Sequence, residues 1–166
     1  MERRTYEEEL IMQIIPKLKE DAKWHKTSPV DANYNCVAWV FGKKNINIWP
    51  AVDADEEFYL NDRGLWVFWP NNIQKSRTLE NFSYFFKTVG FEICDDNWDH
   101  EEGYRKIALY SSNGVDMSHV AIEGNDDLWH SKLGYSIDIV HSTPLTIECE
   151  EYGLFKIAMK RKYDKK

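Results

Sequence analysis

The stretch "RKIALYSSNGVDMSHVAIEGNDDLWHSKL", residues 105–133, decides the fold class. Three short runs rich in β-branched and aromatic residues, "RKIALYSS", "SHVAIE" and "DLWHSKL", are separated by "SNGVD" and "EGNDD", both hairpin-type turn signals. Connections this short join antiparallel neighbours. "FEIC", "SIDIV" and "LFKIAMKR" extend the set on either side. A turn at residues 124–127 pairs His119 with Lys132 and Ala121 with His130. Val120 and Ile122 then share the opposite, core face with Trp129, Ser131 and Leu133. A slip of one residue in that turn brings Ser131 and Trp129 beside His119 instead. On the first face the small Ala121 would let a helix approach closely.

Upstream, the pattern is helical. "TLENFSYFFKTVG" (78–90) carries Thr78 as N-cap and Gly90 as a stop signal. "TYEEELIMQIIPKLKEDA" (5–22) opens with a capping box, Thr5 with Glu8, and places Leu10, Ile11, Ile14, Ile15 and Leu18 at roughly helical spacing; Pro16 implies a kink or a break. Between these lies "VDANYNCVAWVFG" (30–42), where Asp31, Asn33 and Asn35 are capping residues and Cys36 begins an apolar run closed by Gly42. Helices first and a meander afterwards predict one α+β domain, residues 1–166, with N-terminal helices packed on a C-terminal antiparallel sheet. The helix over 5–23 reads as an appendage to a core over 30–162.

Composition narrows the function. A net charge of −7 with no basic stripe argues against nucleic acid as a partner. No apolar run reaches transmembrane length, so no membrane partner is expected. The three cysteines, Cys36, Cys94 and Cys149, are odd in number and widely spaced; a disulfide framework is not expected, and a reducing cytoplasm is. No glycine-rich phosphate loop is present. "CDDNWDHEE" (94–102) lacks metal-ligand spacing and reads as a solvated acidic loop, so neither metal nor cofactor is expected.

Two residues carry chemistry. Cys36 opens a helix, where outward-pointing N–H groups favour a thiolate. His119 opens a strand and can reach a helix packed across the sheet. Each alone reads as an ordinary structural residue; together they form a nucleophile and its base. His130, Ser131 and Lys132 are the candidates for a third polar residue that orients the histidine, and Asn35 is a candidate oxyanion donor. Tyr34, Trp39 and Trp129, with Trp49, Trp66 and Trp69, are candidate walls of a groove.

The order of these features resembles the papain-like thiol hydrolases in their compact bacterial form, the NlpC-like amidases. More narrowly, "NCVAWVFG", "WPAVD", "SHVAIE", "LWHSKLG" and "EYGLFKIAMKR" resemble a group of uncharacterised bacterial proteins. The resemblance covers most of the chain after about Pro29. It implies Cys36 as nucleophile and His119 as base. The usual Asp-Cys start is Asn35-Cys36 here, which puts murein as substrate in doubt. The expected activity is hydrolysis of an amide, isopeptide or thioester bond in a protein or peptide-like substrate, through a thiolate–imidazolium pair. Acyl transfer and deamidation use the same machinery. The alternative is a non-catalytic acidic binding or immunity module that blocks a protein partner.

Overall fold

The computed structural model describes residues 4–51 and 54–163. Val52 and Asp53 of the "WPAVD" motif lie outside the described residues. In chain order the elements are α1 (Tyr6–Ile14), β1 (His25–Ser28), α2 (Cys36–Val40), β2 (Asn47–Ile48), β3 (Phe58–Leu60), β4 (Trp66–Phe68), α3 (Leu79–Thr88), β5 (Glu92–Ile93), β6 (Tyr104–Ser111), β7 (His119–Glu123), β8 (Trp129–Lys132), β9 (Asp138–His141) and β10 (Leu154–Lys162). Short 3₁₀ turns occupy Pro16–Glu20 and Pro144–Ile147. No helix among the described residues is long and apolar enough to cross a membrane.

The fold is α+β. Seven strands form an antiparallel sheet in the order β1-β9-β8-β7-β6-β10-β5, and β2, β4 and β3 form a small mixed sheet. Local chemistry explains the helix ends. The Thr5–Glu8 capping box starts α1, Thr78 accepts from Asn81 N at the start of α3, and Gly90 follows α3 with φ of 100°, a conformation glycine adopts without a Cβ penalty. Pro16 breaks α1 rather than kinking it, and the chain continues as a 3₁₀ turn.

Two details differ from the sequence reading. The β7–β8 turn is one residue tighter: Gly124 N donates to Leu128 O at 2.8 Å, and Ile122 pairs with His130 and Glu123 with Trp129. The left-handed φ of 61° at Asp127 closes it. The slip exchanges faces, so His119 and Ala121 share theirs with Trp129, Ser131 and Leu133, while Lys132 and His130 lie with Val120 and Ile122.

The second difference is that helices cover both faces of the sheet. Val37, Ala38 and Val40 of α2 and Phe82, Phe85 and Phe86 of α3 pack with Ile107, Leu109, Val120 and Ile122. Ile11, Ile15, Leu18 and Trp24 pack beneath Ala108, Ala121, Trp129 and Ile139. The helix therefore approaches Val120 and Ile122, not Ala121, and the N-terminal segment builds one of the two core layers.

Candidate active site

Cys36 is the first residue of α2, and its position is set by Asn35. The Asn35 carboxamide oxygen accepts from Ala38 N (3.0 Å) and from Ile48 N (3.1 Å), and its Nδ2 donates to Ile48 O (2.8 Å). Asn35 thus caps the helix and ties it to β2. That carboxamide is committed to structure and is not free to serve as an oxyanion donor.

The thiol and His119 border the same cavity of about 250 Å³, with Asn47, Trp49, Tyr59, Tyr135 and Tyr152 among its walls. Every side chain lining it is uncharged in the neutral state of Cys36 and His119. No hydrogen bond joins Cys36 to His119 among the described residues. Burial pushes the Cys36 thiol up to about 11, although N–H groups of Val120, Val37 and Cys36 itself, and the Lys132 charge, pull the other way. Burial likewise pulls His119 down to about 3, helped by the neighbouring His141. The resting pair is therefore a neutral thiol and a neutral imidazole. Burial outweighs the N–H groups around the sulfur, so the thiolate that a helix N-terminus favours is not the resting form.

The His119 ring sits between Tyr110 and Tyr152, with centroids 5.3 and 5.5 Å away. Its Nε2 lies 3.0 Å from Ser131 Oγ, which lies 2.7 Å from His141 Nε2. His141 Nδ1 lies 2.9 Å from the Thr143 carbonyl oxygen. Burial lowers His141 to about 4, against the Thr143 carbonyl and the Asp21 charge, which raise it. Ser131 and His141 are both fully buried.

A family described as a domain of unknown function, DUF7689, matches residues 25–160. The chain belongs to this family. No curated protein and no solved structure matches it.

Within this DUF7689 chain the remaining sequence candidates fall apart. Of the three third-residue candidates only Ser131 reaches His119. His130 bonds both carboxylate oxygens of Asp126 at 3.1 Å, on the other face. Lys132 donates to Gly134 O at 2.7 Å with its ammonium 4.6 Å above the Tyr34 ring; burial lowers it to about 8. Tyr34 is core, its hydroxyl donating to Asp138 Oδ2 at 2.6 Å. Trp129 is core in the layer beneath Ala121. Trp39 borders a different cavity, shared with His130. Trp49 does wall the site. Sequence reasoning missed His141, Asn47 and Tyr152. The signal for His141 was its place in the alternation Ile137, Ile139, His141, which puts it diagonally across from Ser131. Among the described residues no group of three or more His, Cys, Asp or Glu side chains is arranged to hold a metal ion.

Proposed function

We propose that this protein is a cysteine-dependent hydrolase of papain-like type, cleaving an amide, isopeptide or thioester bond with Cys36 as nucleophile and His119 as base. One observation carries the reading: Cys36 and a histidine anchored through Nε2 border a single small cavity. Because burial keeps both groups neutral, the thiol proton moves to His119 as the sulfur attacks the carbonyl carbon, rather than beforehand. Backbone N–H groups at the start of α2 receive the oxyanion. Collapse breaks the bond to the leaving group, which takes the proton from His119. Water then attacks the thioester carbonyl, losing its proton to His119; the C–S bond breaks, the sulfur takes that proton back, and a carboxylic acid is released with the free thiol regenerated.

The cavity limits the substrate. At about 250 Å³ it is smaller than the ~300–1,000 Å³ typical of ligand pockets, so it takes a side-chain tip or a chain end. Its uncharged lining suits a carboxamide or peptide unit. Among the described residues Asn47 Oδ1 is buried with no donor, while its Nδ2 donates to Ala32 O at 3.2 Å; this orphaned acceptor suits a substrate N–H.

The test uses p-nitrophenyl acetate as acyl donor, with intact-mass analysis and peptide mapping. Acetylation of Cys36 ahead of the more exposed Cys94 and Cys149, slowed about 10²–10⁴-fold in His119→Ala, supports the reading. An inert Cys36, indifferent to His119, overturns it. That outcome favours the binding module, for which a separate apolar groove of about 840 Å³ is the supporting feature. Phe58 and Trp66, both more than half exposed, line that groove.

A further inference from the structure

The geometry points to His141 as a positioning residue that acts through Ser131 to hold His119 in its Nε2–H tautomer, leaving Nδ1 as the base. The inference rests on the reading of Cys36 and His119 as nucleophile and base. A single carbonyl fixes the direction of the whole chain. The Thr143 carbonyl oxygen can only accept, so His141 Nδ1, 2.9 Å away, carries a proton. In the neutral ring Nε2 is then a lone pair. Ser131 Oγ lies 2.7 Å from it and has one proton to give, so the hydroxyl donates to His141. What remains on Ser131 toward His119 is an acceptor. His119 Nε2, at 3.0 Å, must supply the N–H. His119 Nδ1 is left unprotonated, on a ring that borders the Cys36 cavity and with no hydrogen-bond partner among the described residues.

Burial keeps His141 neutral, which the chain of donors requires. The Asp21 carboxylate accepts from Ser142 N (2.8 Å) and Ser142 Oγ (2.7 Å), fixing the backbone that carries His141 and Thr143. The arrangement gives Ser131 a part it could not play alone. A lone hydroxyl donates or accepts with equal ease, so it cannot choose the tautomer of the ring it touches. His141 makes the choice.

The experiment is nitrogen-15 NMR of the imidazoles in histidine-labelled protein, which separates the two neutral tautomers without any turnover. The expected wild-type result for His119 is a proton on Nε2 and a free lone pair on Nδ1. In His141→Leu and in Ser131→Ala the His119 signal moves toward a mixture of tautomers, and in His141→Gln, whose carboxamide oxygen can still accept from Ser131, it returns toward wild type. Acetylation of Cys36 by p-nitrophenyl acetate falls by at least roughly tenfold in the first two, part of the 10²–10⁴-fold that a positioned base supplies. Ser131→Ala removes only a hydroxyl and serves if His141→Leu does not fold. An Nδ1–H tautomer in the wild type, or an unchanged tautomer in both disrupting variants, overturns the inference. Because the NMR result needs no reactive cysteine, it stands or falls separately from the hydrolase reading.

Discussion

Ser131 is a small residue whose meaning comes from its two neighbours. The sequence left it one of three equivalents, because a turn length uncertain by one residue decides whether Lys132 or Ser131 shares the face of His119. The left-handed backbone at Asp127 that settles the turn has no unique sequence signature. Cys36 and His119 were legible, since each follows capping or turn chemistry at the head of an element. His141 was not, because its link to His119 runs through Ser131 on another strand. Both rings give the molecule a pH response. Their folded pKa values, about 3 for His119 and about 4 for His141, lie below the unfolded value near 6.5. Their contribution to stability is complete above about pH 6.5 and is lost as pH falls toward 4 and then 3. The slope is up to about 1.4 kcal/mol per pH unit for each ring. Urea melts between pH 8 and 4 should therefore show stability dropping below pH 6.5, with a shallower acid limb in His141→Gln.

At the scale of elements, α2 shows how a legible start can mislead about chemistry. The polar-to-apolar switch at Asn35-Cys36 correctly announced a helix. Burial was what it could not announce: desolvation raises the Cys36 thiol despite its place at the helix start. Asn35 matters more as a brace. Asn35→Ala removes the cap to Ala38 and leaves both polar groups of Ile48 without their partner. The cap costs about 0.5–2 kcal/mol and an unsatisfied buried group about 1–3 kcal/mol. An unfolding free energy lowered by several kcal/mol, with Asn35→Asp retaining the cap and losing less, is the expected outcome of a urea titration. The strands were legible as strands from their β-branched content. Their double-sided burial was readable only in retrospect, from "IALY", which is apolar without alternation.

Across the whole molecule, the candidate site draws on the layers at both faces of the sheet. Cys36 belongs to the helical layer over Val120 and Ile122, whereas the ring of His119 is held by Ser131 and His141 in the layer built on the N-terminal segment. That segment precedes residues 25–160, the part matched by the family, yet Leu18 and Ile15 are fully buried in it and Asp21 steadies Ser142. The resting state has a further consequence for survival in the presence of oxidants. Peroxide attacks thiolates, and access and ionisation together set which cysteine is lost first. With its thiol pushed up to about 11 and nearly closed off, Cys36 presents almost no thiolate at neutral pH. Dimedone trapping after brief hydrogen peroxide treatment should mark the half-buried Cys94 and Cys149 before Cys36. The burial that keeps Cys36 a neutral thiol also shields it from sulfenic acid formation.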